Sequence, residues 1–313
     1  MANYRAGDII RLTRSALEIS QEELCDGICS VETLSRIENG HHKVKPDTYY
    51  SLMAKLERIP EKNYALCMGR NVELLEERFL LENALVKFEY EAAGNYLDTV
   101  REKALDNVVN RQYIMRMGAV LDFYNGKIDA VTWAERMKEA IRLTLPLYES
   151  YTDRIYPYTE QEILCFMNLA NAYGRLEQQE KAIEIFQMLL KNIDSGYIEK
   201  NRSEVMKIAI LRNYEMDLGE LGRYKESTEM IQECIQLAVR QHYESILPIL
   251  WGDIAWNMMQ EIEEGERGQE ELEDVKHLLQ QAYYVAAARN DNKVVRITKN
   301  YYYEKFGEEI EEC

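Results

Sequence analysis

Residues 20–40, Ser-Gln-Glu-Glu-Leu-Cys-Asp-Gly-Ile-Cys-Ser-Val-Glu-Thr-Leu-Ser-Arg-Ile-Glu-Asn-Gly, constrain this chain most. Ser20 and Glu23 have capping-box spacing, so a helix is expected from Gln21. Leu24 and Ile28 lie one turn apart on one face, and Asp26-Gly27 breaks the helix because glycine accepts positive φ. Ser30 is a second N-cap. Leu34 and Ile37 give the next helix its apolar face, and Asn39-Gly40 ends it. Two short helices joined so tightly form a helix-turn-helix, whose second helix suits the major groove of DNA.

The flanking residues complete a small bundle. Ile9, Leu12 and Ala16 recur with helical spacing over 6–18, with Ile10 and Leu17 alongside and Arg5, Arg11 and Arg14 off that face. Pro46-Asp47 opens another helix, where Tyr49, Leu52, Met53 and Leu56 face the core, and Pro60 ends the unit. A boundary is expected within 63–70, with Gly69 its weak point. This divides the chain into 1–66 and 67–313.

The wording S-Q-E-E-L followed by I-C-S-x-x-T-L-S-R-I-E-N-G resembles the Xre/Cro-like helix-turn-helix domain. It is most similar to that of the Gram-positive Rgg–PlcR group of quorum regulators. The resemblance covers residues 5–60 and implies a second, tetratricopeptide-like domain that binds a signalling peptide. It also implies that Gln21, at a helix N-terminus, contacts a DNA phosphate.

The remaining residues support an all-α fold: a helix-turn-helix bundle followed by a right-handed helical solenoid. Proline (5) and glycine (15) are scarce in 313 residues, which favours helix throughout. The clearest helix pair has Leu169, Ala170 and Tyr173, then Ala182, Phe186 and Leu189, which match a tetratricopeptide repeat. A second copy sits 45 residues on, with Gly219, Leu221, Ser227 and Ile231 aligned to Gly174, Leu176, Ala182 and Phe186. Further pairs are expected over 71–106, over 110–125 with 131–145, and over 246–260 with 272–290. Residues 294–306 read as a capping helix, and the tail from Gly307 as a frayed end.

Charge divides the same way. Residues 1–66 hold 9 Lys/Arg against 10 Asp/Glu, and the rest hold 29 against 45, out of a net −17. A near-neutral reader gains little from counterion release alone, so a homodimer on an inverted-repeat operator in double-stranded DNA is expected. On the second helix, Val31, Glu32, Thr33, Ser35, Arg36 and Asn39 are left to solvent or DNA. Arg36 suits guanine or a phosphate, Glu32 suits cytosine N4, and Thr33 and Val31 suit a thymine methyl. Lys43 and Lys45 follow where backbone phosphates would pass.

In the repeats the first helix of each pair should line the inner face. Asn168 and Asn213 occupy equivalent places there, with Asn171, Arg175, Arg212, Tyr214, Asp253, Trp256 and Asn257 nearby. An asparagine offers both donor and acceptor to an extended peptide backbone. The resemblance implies that such asparagines hold a short signalling peptide. The same residues also fit ordinary exposed helix positions, and Trp256 fits a core. The tyrosine runs at 283–284 and 301–303 fit inter-helix packing better than a dimer interface.

Catalytic wording is missing: there is no phosphate-binding loop, no H-E-x-x-H and no G-x-S-x-G. The six cysteines lack zinc spacing, and no cofactor, metal or enzyme activity is expected. No apolar run approaches a membrane span and the N-terminus lacks a signal-peptide core, so a cytoplasmic location is expected. Two rivals stay open: a solenoid scaffold for a protein partner, and an enzyme-like regulator acting on one.

Overall fold

A computed structural model describes residues 6–56, 72–86, 89–104, 106, 108–150, 155–156, 158–195 and 200–311. Among them are fifteen α-helices and no strand. The chain divides into two compact units, residues 1–199 and 200–313. That break falls inside the expected repeat region, whereas the expected boundary at 63–70 lies outside the described residues.

The first unit begins with α1 (Ala6–Ala16), α2 (Gln21–Cys25), α3 (Val31–Glu38) and α4 (Pro46–Lys55). Ser20 Oγ accepts from the Glu23 amide at 3.0 Å and Ser30 Oγ from the Thr33 amide at 3.2 Å, so both expected caps form. Gly27 and Gly40 take the left-handed conformation at the ends of α2 and α3 (φ 74° and 72°). The core gathers Ile10, Leu24, Cys25, Leu34, Ile37, Leu52, Met53 and Leu56. Ile10 and Thr13 are fully buried, while Ile9 and Leu12 are half-buried. The buried face of α1 is therefore turned from the expected one, and it runs Gly7–Ile10–Thr13. The cause is a close approach: a Cβ on Gly7 would stand 1.9 Å from the Ile37 carbonyl oxygen.

Helix pairs follow: α5 (Val72–Val86) with α6 (Tyr90–Lys103), α7 (Val108–Tyr124) with α8 (Ala130–Arg142), and α9 (Glu160–Arg175) with α10 (Gln179–Asp194). Each helix packs on the next within α5–α10, and α7 also touches α9. The second unit repeats the scheme with α11 (Lys200–Glu220) and α12 (Tyr224–Arg240), α13 (Leu247–Glu263) and α14 (Leu272–Ala288), and the cap α15 (Asn292–Phe306). There α11 touches α13 and α13 touches α15. Ala170, Ala182 and Phe186 are fully buried, as are Ser227 and Ile231 in the aligned copy.

Six helix ends share one geometry. Gln178 donates to the Tyr173 carbonyl at 2.9 Å and Arg223 to Leu218 at 2.9 Å, with Glu177 and Gly222 left-handed between them (φ 57° and 74°). The pattern recurs at Gly126, His242, Gly265 and Asn290. It is a Schellman closure that satisfies carbonyls the helix would otherwise orphan. The 45-residue offset thus aligns backbone as well as side chains. The extra length sits partly in α11, which has 21 residues against 16 in α9.

The tail departs from expectation. Ile310 is buried against Met258, Met259 and Tyr302, and Glu308 accepts from Lys276 at 2.5 Å. Gly307 turns the chain back (φ 67°), so an apolar residue three positions on reaches the core. Tyr283 and Tyr302 are buried, as the packing reading of the tyrosine runs expects, while Tyr303 is exposed.

Replacing Gly7 by alanine is expected to push α1 off α3 at a cost of about 1–3 kcal/mol. Hydrogen exchange on the full chain should show lost protection in α1–α4 and unchanged protection in 200–313. Unchanged exchange in α1 and α3 would mean the contact is slack.

Candidate functional site

Helix α3 is fixed by an ionic clamp. Glu38 is 2% exposed and accepts from Arg14 Nε at 2.7 Å and Nη2 at 2.9 Å. Its second oxygen also accepts from Gln21 Nε2 at 2.6 Å. Arg14 donates as well to the Ile19 carbonyl at 2.9 Å. One carboxylate thus ties α1, the start of α2 and the end of α3. The hydrogen bond to Glu38 holds the Arg14 guanidinium above its ordinary pKa. Sequence reasoning missed this clamp. Its signal was an acid at position 38, one turn from Leu34 on the apolar face of α3.

The outer face of α3 presents Val31, Glu32 and Arg36, all exposed. Arg36 and Glu32 make no ion pair or hydrogen bond among the described residues, so both heads are available. Thr33 and Ser35 are half-buried. Thr33 Oγ1 lies 2.8 Å from Ser30 Oγ, and Asn39 Nδ2 donates to the Ser35 carbonyl at 2.9 Å, so both serve helix ends. Lys43 and Lys45 are exposed on the following loop. The Gln21 side chain is turned to Glu38, which leaves its backbone N–H, at the first turn of α2, as the group able to meet a phosphate.

The expected peptide residues separate by unit. In the first, Asn168 Nδ2 donates to the Leu164 carbonyl at 2.7 Å, and Asn171 and Arg175 are half-buried and exposed. In the second, Asn213 Nδ2 donates to the Ala209 carbonyl, also at 2.7 Å. The two asparagines are equivalent in geometry as in sequence, each with its donor tied to its own helix. Tyr214 and Asn257 are buried, and Asn257 donates to Ser227 Oγ at 2.9 Å and Thr228 Oγ1 at 3.2 Å. The Asn257 amide is thereby turned to α12. Trp256 is half-buried, edge-on to Tyr224 with centroids 5.8 Å apart.

Arg212 belongs to a buried acidic cluster. It pairs with Glu215 and lies 3.3 Å from Asp253, two carboxylates sharing one guanidinium. Burial, then the charge of Asp253, pushes the Glu215 carboxyl up to about 8. Burial likewise raises Asp253, against the pull of Arg212. Ser227 Oγ donates to Glu215 at 3.3 Å, linking the cluster to Asn257.

Among the described residues no His/Cys/Asp/Glu group is placed to hold a metal, and no helix is long and apolar enough to cross a membrane. Cys25, Cys29, Cys165 and Cys234 are unbridged.

No protein-family model matches the chain, and no curated protein matches it in sequence. Solved structures do. PlcR of Bacillus thuringiensis, in complex with the peptide PapR7 and DNA, superposes with TM-score 0.59 at 18% identity, over 93% of this chain and 98% of that one. ComR from S. thermophilus, in complex with DNA and its signalling peptide ComS, gives 0.53 at 14% over 94% and 97%. The apo competence regulator ComR from Streptococcus vestibularis gives 0.50 at 16% over 95% and 96%. This chain shares the fold of PlcR and ComR. The likeness runs nearly end to end, so it includes the N-terminal bundle together with the helix pairs.

Glu38→Ala leaves the half-buried Arg14 without its carboxylate and is expected to cost about 1–3 kcal/mol. Arg36→Ala, on the open face, should stay within about 0.5 kcal/mol. Urea unfolding with amide exchange on α1–α3 separates them; equal effects would refute the clamp. Glu215 gives a pH signature. Its folded pKa, about 8, stands above the ordinary 4.5, so the native state holds the extra proton between those values. Stability should be greatest below pH 4.5 as far as this group is concerned, and fall as pH rises towards 8. Glu215→Gln should flatten that fall, which melting curves from pH 5 to 8 would read.

Proposed function

We propose that this protein is a DNA-binding transcription regulator whose helix-pair region receives a short signalling peptide. The observation that carries the reading is the α3 surface. Arg36 and Glu32 stand unpaired on the outer face while Glu38, on the inner face, is locked by three N–H donors. A helix held this firmly with its charged heads free is built to meet a partner with groove-edge donors and acceptors. Lys43 and Lys45 supply phosphate contacts beside it. The shared fold with PlcR and ComR, both solved with DNA and a peptide, supports the same pairing of partners here.

The chain acts as a homodimer in this reading. Two reading helices meet two half-sites of an inverted repeat, which doubles the phosphates neutralised. The regulator works in the cytoplasm and carries out no reaction of its own. Peptide binding shifts a balance between two arrangements of the dimer, and does so only if it binds them with different affinity. Asn168, Asn171 and Arg175 in the first unit, and Arg212, Asn213, Tyr214, Trp256 and Asn257 in the second, are its candidate contacts.

Selection of bound fragments from the source genome by the purified full-length protein tests the reading. An inverted repeat should be enriched by the wild type and lost with Arg36→Ala, which leaves the clamp intact. Enrichment that survives Arg36→Ala would remove α3 as the reader. No enrichment, together with capture of a folded protein by the helix pairs, would favour a scaffold.

A further inference from the structure

Arg116 is the buried charge that the first unit leaves unmatched. It lies in the middle of α7 and is 7% exposed. Its Nε is buried and finds no hydrogen-bond partner. No carboxylate lies within ion-pair distance of it among the described residues. Its guanidinium carbon sits 5.6 Å from the centroid of the Tyr113 ring, one turn back on the same helix. Arg78 of α5 approaches that ring too, at 4.9 Å. The two arginines differ in one respect: Arg78 pairs with Glu82 at 2.9 Å, and the same Glu82 oxygen accepts from Tyr113 Oη at 3.3 Å. The carboxylate of this corner is therefore occupied.

Across from α7, the first helix of the next pair contributes a second unmet group. Helix α9 packs on α7, and burial pushes its Cys165 thiol up to about 12 while the Arg116 charge pulls it back. Gln161 lies one turn before Cys165 on the same side of α9 and is 3% exposed. Its Oε1 is buried without a partner. The neighbouring acid, Glu162, is already bound to the Thr159 amide at 2.6 Å in the capping box. Arg116 Nε and Gln161 Oε1, both buried and without a hydrogen-bond partner, thus lie on two first helices that touch, α7 and α9. Left without a partner, each is a destabilising burial of a polar group.

We propose that Arg116 anchors a carboxylate of the ligand, with Gln161 Oε1 accepting an N–H of the same molecule. The inference rests on the peptide-receptor reading above and gives it an anchor. A guanidinium fork matches a carboxylate in two parallel hydrogen bonds, and here the pair forms out of water, where it is strongest. The Tyr113 ring packs on the guanidinium and keeps its plane. A peptide supplies both groups: its terminal or side-chain carboxylate for Arg116, and a backbone N–H for Gln161.

The test is capture from synthetic peptide pools by the full-length protein, read by mass spectrometry. The peptides have about seven residues, enough to cross roughly two helices when extended. One pool has free C-termini and no Asp or Glu. A second is the same pool with amidated C-termini. A third is amidated but contains Asp and Glu. Wild type should retain one carboxylate-bearing pool about tenfold over the carboxylate-free pool, and which one identifies the source. Arg116→Gln should lose that preference without lowering the melting temperature of the free protein, because it removes an unmatched charge. Arg116→Lys keeps the charge and loses the fork, so it should keep only part of the preference; it serves if the glutamine variant does not fold. Equal retention of all three pools by the wild type overturns the anchor and leaves a peptide receptor standing. Retention of none removes both. A preference unchanged in either variant, with a lowered melting temperature, makes Arg116 a purely structural residue and overturns the proposal.

Discussion

The carboxylate of Glu38 is the interaction on which the N-terminal bundle turns. It is a dehydrated anion, and its stability depends on N–H groups from Arg14 and Gln21 reaching it together. Those donors come from two other segments, so satisfying one charge places three helices. The surrounding core of Leu24, Leu34, Ile37 and Leu52 supplies the burial that makes the charge demanding. Apolar packing alone tolerates small slides between helices, whereas a bidentate pair specifies position and angle. The outward heads of Glu32 and Arg36 take their directions from that arrangement.

Much of this was legible in the chain. The Ser20 and Ser30 caps, the glycine stops and the five helix pairs with a closing helix follow from local rules, and all of them form. The small residues at Ala170, Ala182 and Ser227 announced close helix approach. What stayed hidden depends on partners distant in sequence. Nothing near Glu38 reveals Arg14, 24 positions away. The rotation of α1 depends on Ile37, which only the folded contact identifies. Ile310 looks like a lone apolar residue in an acidic tail until Gly307 turns it inward. Tyr214 and Asn257 carry the right chemistry for ligand contact, but helix spacing does not reveal that both side chains are buried.

The two units treat buried charge differently. In the second, Glu215 and Asp253 share Arg212, and the excess carboxylate is relieved by a proton. An acid can be neutralised in that way, and its cost appears as a dependence on pH. In the first, Arg116 has no such release, because a guanidinium does not give up its proton in a protein. The same physical problem therefore has two outcomes, one relieved within the fold and one for which we propose a ligand.

The contact between Gly7 and the Ile37 carbonyl sets a limit on how any signal can act. With no clearance between α1 and α3, the reading helix has no rotation of its own to be switched. Its side chains keep one fixed alphabet whatever happens elsewhere in the chain. On the proposed function, control over DNA lies in where the whole bundle is carried, and in how far apart two such bundles are held. An effector would thus change which spacing of half-sites is read, while the bases preferred within each half-site stay the same.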